Sequence, residues 1–345
     1  MEKAKRGGMM KKTKKAAWVL LILLLLLIGC ILLSFPLGRY PVSIGDIFRQ
    51  FGHDLLGLGE SPEDSIGRVI YNIRLPRILL AMIVGAGLSA AGCAYQCVFQ
   101  NPMASPDVLG ASSGAAFGAA LAILAGAASG GITLSAFVMS LCSMLIACLI
   151  GATGRDRIMT LVLAGMMISS LFSAGTSCLK LAADPESQLP EITYWLMGSL
   201  SGANWRSVMT ALIPTVIGMV VLLLLRWRLQ LLTIGDEEAR ALGVHPGRTR
   251  LAVILAATLL TAAVISSSGT IGWVGLVIPH MTCKLTGSET RFLLPGTALL
   301  GGIFLLVVDN ISRTMLPVEL PIGILTAFIG APFFLWMIVK RGAAR

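Results

Sequence analysis

Ten apolar stretches, each near the length of a membrane crossing, alternate with short polar connections along this chain. They cover residues 17–35, 74–98, 106–127, 131–151, 157–180, 207–227, 249–268, 270–286, 291–311 and 320–340. A helix crossing the hydrocarbon core needs about 20 predominantly apolar residues, so each stretch predicts a transmembrane helix. The eighth is short, Gly-rich and broken by Pro279. Two connections are longer. Residues 36–73 hold Gly, Pro and acidic residues and no long apolar run. In residues 181–206, Asp184, Pro185, Glu186, Pro190 and Glu191 precede an apolar stretch Ile192–Leu200, which predicts a short helix near the outer surface.

Composition agrees with the pattern. Of 345 residues, 56% are hydrophobic and 13% charged, with mean hydropathy +0.85. A soluble domain carries about a quarter charged residues. This chain could not cover an aqueous surface, and lipid is its natural solvent. The expectation is an all-α integral membrane protein of about ten helices, with a basic tail (1–16) ahead of one transmembrane domain (17–345).

The net charge of +10 raises the question of nucleic acid. The charges fall between apolar spans, however, so topology explains them and no nucleic-acid partner is expected. Lys3, Lys5, Arg6, Lys11, Lys12, Lys14 and Lys15 precede the first span and predict a cytoplasmic N-terminus. With ten crossings, 19 of the 27 Lys and Arg lie inside, against 7 of the 17 Asp and Glu. Both termini are basic, which requires an even number of crossings and argues that the weak eighth span does cross. No A-x-A-like cleavage site follows the first span at Ser34-Phe35-Pro36-Leu37-Gly38, so that helix is expected to be retained.

Candidate chemistry is sparse. No GxxxxGK[ST] loop is present to cradle phosphates. His53, His245 and His280 are far apart in sequence and form no metal-ligand pattern. Cys30, Cys93, Cys97, Cys142, Cys148, Cys178 and Cys283 contain no CxxC pair, and read as free thiols acting as small hydrophobes. Hence no enzyme, metal or bound cofactor is expected. Ion-coupled carriers hold a charge near mid-bilayer, where it costs at least about 2.5–3.5 kcal/mol. Here Asp309 and Lys180 lie near the outer ends of their spans, so the energy source is expected outside this chain.

Small residues are dense in the second and third spans. Gly85–Gly92 and the GxxxG pairs Gly114/Gly118 and Gly126/Gly130 allow close backbone approach in lipid. Between the sixth and seventh spans, within the inside loop 229–248, Gly235-Asp236-Glu237-Glu238-Ala239-Arg240-Ala241-Leu242-Gly243-Val244 predicts a helix of about two turns. Asp236 suits its N-cap, Glu237 and Glu238 its positive end, and Gly243 its C′ position. Such a helix is either a lever for a partner or a plain capped surface helix.

Taken in order, several segments resemble the FecCD-type permeases of iron-siderophore, haem and vitamin B12 importers. They are Arg74-Leu75-Pro76-Arg77, Asn101-Pro102-Met103-Ala104-Ser105-Pro106, Gly110–Ala115, Tyr194-Trp195-Leu196-Met197-Gly198, Gly235–Val244, Ile271–His280, Glu319–Gly323 and Gly330–Phe334. The similarity runs from about residue 36 to the C-terminus. It implies a type II ABC permease bundle. Two copies, identical or paralogous, would form the path, with two ATPase subunits carrying ATP and Mg below and a substrate-binding protein above. The resemblance makes Gly235, Asp236, Glu237, Glu238, Ala239, Arg240, Ala241, Leu242 and Gly243 the ATPase-coupling segment. It makes Arg74, Arg77 and Arg313 outward-facing partners of binding-protein glutamates. The residues alone allow another reading of these arginines, snorkelling or pairing with Asp309 or Glu319. By the same resemblance the fifth span lines the path through Gly165, Ser169, Ser170, Ser173 and Thr176, which equally suit helix packing. The chain departs from the family's Pro-His-x-x-Arg pattern at Cys283, followed by Lys284. Ferric siderophore is the expected cargo, with haem and cobalamin behind it.

Overall fold

A computed structural model describes residues 2–38, 40, 42–56, 64–154 and 157–342. The charged positions Arg39, Arg155, Asp156 and Arg345, and the middle of the 36–73 connection, lie outside the described residues.

Helix α1 (Glu2–Ser34) absorbs most of the basic tail into the first crossing. The 36–73 connection is more ordered than its polar composition suggests. It contains amphipathic α2 (Ile44–Leu56) and α3 (Asp64–Arg68), and α3 runs through a π-helical turn, Val69–Arg74, into α4 (Leu75–Val98). A 3₁₀ turn, Pro106–Leu109, leads to α5 (Ala111–Leu124). Then come α6 (Ser129–Thr153), α7 (Arg157–Ala182), α8 (Gln188–Met197) and α9 (Trp205–Leu232). The chain closes with α10 (Asp236–Ala241), α11 (Pro246–Ser268), α12 (Val274–Thr286), α13 (Thr290–Thr314) and α14 (Ile322–Gly342).

Every predicted span contains a helix, and α8 is the short helix expected after the fifth. Among the described residues, seven helical segments are long and apolar enough to cross a membrane. Helices α5 and α12 fall short. Helix α5 has 14 residues and reaches only about 21 Å at 1.5 Å per residue. Its start is set by Gly110, whose φ of +91° separates it from the 3₁₀ turn. Helix α12 has 13 residues and begins only after Gly269 (φ +72°) and Trp273 (φ +71°). Helix α14, by contrast, has 21 residues and no charged residue from Ile322 to Val339.

Non-helical backbone at membrane depth is tolerated only where protein satisfies its polar groups. The break before α12 is fastened to its neighbours on both sides. The Ser199 N–H donates to Ser268 O (2.8 Å), the Ile322 N–H donates to Gly198 O (2.9 Å), and the Thr270 hydroxyl donates to Leu196 O. Within α12, Pro279 has no N–H to offer the carbonyl of Gly275 four residues back. The Gln96 amide of α4 supplies the missing donor, reaching Gly275 O at 3.4 Å and Leu276 O at 3.2 Å.

Close packing centres on α4. Gly85 lies against the backbone of Gly301 on α13, and Gly92 against the backbone of Gly275 on α12, so a Cβ at either would overlap main-chain atoms. Gly114 and Gly118 likewise face the α6 backbone at Met139 and Ser135. The pair Gly126/Gly130 is different. Gly126 has φ +71° and nothing within 4 Å of a built Cβ. It turns the chain between α5 and α6 and makes no helix contact. The GxxxG spacing there is a by-product of a turn glycine preceding a helix start.

Opposite ends of the bundle follow from the crossings. One, called here the N-terminal end, holds the start of α1, the end of α4 and α10. There the Gln100 amide donates to Leu232 O (2.6 Å), and the Thr290 N–H donates to Gln230 Oε1 (2.7 Å). The far end holds Ser34, α8 and the end of α13. Beside it, Asp184 accepts from the Ser187 hydroxyl, the Ser187 N–H and the Glu186 N–H at 2.8–3.0 Å, which hold its carboxyl below the usual carboxylate range.

Replacing Gln96 by Leu is expected to leave the Gly275 carbonyl unpaired, a loss of about 1–3 kcal/mol. The midpoint of thermal unfolding in detergent should fall. Pro279→Ala, which restores an N–H inside α12, should recover part of the loss in the double variant. An unchanged midpoint for Gln96→Leu would contradict this account of α12.

Candidate functional site

Helix α10 is held at both ends. Its N-cap is Gly235, and no side chain caps it. The expected cap, Asp236, is engaged elsewhere: Arg250 of α11 grips its carboxylate with Nη2–Oδ1 at 2.7 Å and Nη1–Oδ2 at 3.3 Å. A two-pronged guanidinium contact joins two ionised groups, whereas a cap bond would join the carboxylate to a neutral N–H, which explains the exchange. Asp236 therefore ties α10 to α11. At the other end Gly243 has φ +79°. Its N–H donates to Arg240 O and the Val244 N–H to Ala239 O, both at 2.9 Å, forming a Schellman motif. Val244, Ala239 and Leu231 pack together beneath it. What remains outward is Glu237, Glu238, Arg240, Ala241 and Leu242, with apolar Ile234 also exposed just before the helix. A short rigid helix with acidic residues at its positive end and exposed Ile234 and Leu242 beside it has the build of a protein contact.

The far end carries the three sequence-selected arginines, and all three are buried. Arg77 is 7% exposed and Asp309 0%. The Arg77 Nε donates to both Asp309 oxygens at 3.0 and 3.2 Å, Nη2 lies 2.9 Å from Oδ1, and Nη1 donates to Glu319 Oε1 at 3.0 Å. Arg313 stands 3.7 Å from Asp309 Oδ2, one turn along α13, and donates to Ser34 O at 2.8 Å and to Asn310 Oδ1. Arg74 donates to the carbonyls of Phe35 and Tyr40. The pairing of Arg77 with Asp309 and Glu319 is the one the residues alone allowed. This clasp joins the end of α1, the start of α4, the end of α13 and the segment before α14. Among the described residues, three arginines face two carboxylates here, an excess of one positive charge.

Helix α7 divides the five candidate path residues. Ser170 and Ser173 are exposed, on the face that also shows Met166, Met167 and Leu171. Gly165 and Thr176 are buried, and Ser169 is half-buried against Asp107 O (3.5 Å). The hydroxyls of Ser170 and Thr176 donate back to Met166 O and Phe172 O. Sequence reading did not anticipate a cavity of about 940 Å³ at the far end, between α6, α8, α9 and the end of α11. Phe137, Tyr194, Trp195 and Met209 line it, with Arg206 and Glu191 as its charged groups. No periodicity could have found it, because its walls come from three separate spans and the short helix α8.

All seven cysteines are free. Among the described residues no group of three or more His, Cys, Asp or Glu could hold a metal ion. Cys283, at the family's usual arginine position, is half-buried in α12, and neighbouring Lys284 reaches over the Trp336 ring at 5.6 Å.

Comparison with known proteins places this geometry. A model of the FecCD transport family matches residues 24–340. The chain is 40% identical to the molybdate import system permease protein MolB of Haemophilus influenzae, over 90% of this chain and 93% of that one. It is 38% identical to the hemin transport system permease protein HmuU of Yersinia pestis, over 83% and 85%. A solved inward-facing conformation of a candidate metal-chelate type ABC transporter superposes with TM-score 0.84 at 38% identity, covering 94% of this chain and 99% of that one.

Removing one member of a buried ion pair strands the other, at a cost of about 3–5 kcal/mol. Arg77→Leu is therefore expected to lower the unfolding midpoint in detergent far more than Arg206→Leu, whose side chain is exposed. Arg77→Lys should fall between them, because a point charge cannot bridge Asp309 and Glu319 together. Equal effects from Arg77→Leu and Arg206→Leu would contradict the clasp.

Proposed function

The chain belongs to the FecCD transport family of ABC importer permeases, and on that premise we propose that it carries a ferric siderophore across the cytoplasmic membrane. Two copies enclose the path, and two ATPase subunits bearing ATP and Mg dock on α10 of each copy from the cytoplasm. An extracytoplasmic binding protein delivers cargo at the far end. ATP binding closes the ATPases, α10 moves with them, and its anchor on α11 transmits the movement to the spans.

The observation that carries this reading is α10 itself, capped, fastened through Asp236–Arg250, and exposing acidic and apolar side chains on the end with the basic termini. Its orientation follows the positive-inside rule. At the far end, the surplus positive charge of Arg74, Arg77 and Arg313 suits approach by carboxylates of the binding protein. Because the three guanidiniums are buried among Ser34, Phe35, Tyr40 and Glu319, they would act first through their field.

Cargo is argued from α7. Between residues 158 and 179 it has no charged residue, and its exposed face offers Ser170, Ser173 and Ser177 among methionines. That surface suits a bulky, largely neutral chelate sliding past with weak contacts. Molybdate is the second reading, favoured by the 40% identity to MolB. A small dianion would cross this uncharged stretch without a cation partner, which places it behind the chelate.

The test is ATP hydrolysis by the chain reconstituted with its neighbouring ATPase and binding protein, with ferric siderophore, haem, cobalamin or molybdate as cargo. Ferric siderophore is expected to give the largest stimulation. The double variant Glu237→Ala, Glu238→Ala should lower stimulated hydrolysis about tenfold, equivalent to about 1.4 kcal/mol of coupling. Stimulation by molybdate alone would replace the cargo. Full stimulation in the double variant would remove α10 as the coupling element.

A further inference from the structure

The N-terminal end has a second charged feature, which lies beside the outward face of α10 and shares only Arg240 and Gly243 with it. Two cavities of about 420 and 340 Å³ adjoin one another there and share His245 and Arg248 in their walls. Arg240 and Leu251 complete one, and Arg228 and Leu225 the other. Arg228, Arg240, His245 and Arg248 are all exposed. No acidic residue lines either cavity among the described residues. The nearby carboxylates are turned elsewhere: Asp236 is held by Arg250, and the Glu238 carboxylate folds over Gly235.

The surroundings give the depth. On the bundle side of Arg228, α9 exposes Leu224 and Trp227, and on the bundle side of Arg248, α11 exposes Leu251 and Leu255. Cationic groups above, an indole at the boundary and exposed apolar side chains on two neighbouring helices below reproduce the layers of a phospholipid. Helices α9 and α11 are the pair that α10 connects.

We propose that the groove between the end of α9 and the start of α11 is a binding site for an anionic phospholipid. Its phosphate is held by Arg228 and Arg248, with His245 between them and Arg240 at the rim. The acyl chains lie along Leu224, Leu251 and Leu255. The proposal rests on the cytoplasmic placement of this end. A lipid seated there braces the two helices that flank α10, so the anionic lipid content of the membrane would set how firmly that lever is held.

The experiment uses the full chain purified in mild detergent, without ATPase. Native mass spectrometry and thermal unfolding are followed as dioleoylphosphatidylglycerol, dioleoylphosphatidylcholine or inorganic phosphate is added. The expected result is retained phosphatidylglycerol adducts and a raised unfolding midpoint, with neither from phosphatidylcholine. The double variant Arg228→Gln, Arg248→Gln should weaken phosphatidylglycerol binding roughly 30-fold, the effect of two headgroup-level arginines. The charge-matched double variant Arg291→Gln, Lys340→Gln, on the same end but outside the groove, should leave it unchanged. Equal loss in both double variants would overturn the site in favour of general surface charge. Equal protection by inorganic phosphate would reassign it to a free anion. Because no ATPase is present, failure here leaves the importer reading intact, and failure of ATPase docking leaves this one intact.

Discussion

Backbone-to-backbone contact along α4 is the constraint on which the rest of the bundle depends. Gly85 meets Gly301 and Gly92 meets Gly275 with no room for a methyl group. Lipid gives helices little hydrophobic reason to associate, so such contacts must come from close dispersion packing and from hydrogen bonds that small residues permit. The Gly92 contact brings the start of α12 onto α4 and sets Gln96 beside the carbonyl that Pro279 cannot satisfy. A shorter, broken α12 is thereby affordable at membrane depth. Its unwound entry is in turn held by the α8–α9 connection and the start of α14. One packed helix thus accounts for the interruption that most weakened the span pattern.

The two ends are built on opposite terms. At the far end, charge is turned inward: Arg77, Arg313, Asp309 and Glu319 pair with one another and knot four segments together. At the N-terminal end, charge is turned outward. Arg250 takes Asp236, leaving Glu237 and Glu238 exposed on one side and the Arg228–Arg248 groove on the other. The proposed function would use this asymmetry: a firm frame at one face, and at the other an exposed, anchored helix through which a partner's movement would reach the spans.

Much of this was legible in the sequence, because apolar length and charge asymmetry act locally. The spans, the short helix after the fifth and the α10 segment with its Gly243 terminus could all be read from runs and turn residues. What could not be read depends on separation in sequence. Asp236 is an ideal cap on local grounds, and only the folded position of Arg250, fourteen residues on, diverts it. For Arg77 the residues left outward docking, snorkelling and a pair with Asp309 or Glu319 all open. Asp309 lies 232 residues away, so only the fold could choose the pair. The helices within 36–73 were obscured by their polar content, since an amphipathic helix at a surface has no long apolar run. Gly126 shows the opposite error, a packing motif by spacing that is a turn by conformation.

The central claim is that α10 faces the compartment that holds ATP while the arginine clasp faces away from it. Membrane-impermeant maleimide labelling tests this most directly, using Arg240→Cys and Glu186→Cys variants in a chain whose native cysteines are replaced by serine. The account predicts that Arg240→Cys is labelled only in inside-out vesicles and Glu186→Cys only in right-side-out vesicles. Labelling of both from the same side, or the reverse assignment, would contradict it.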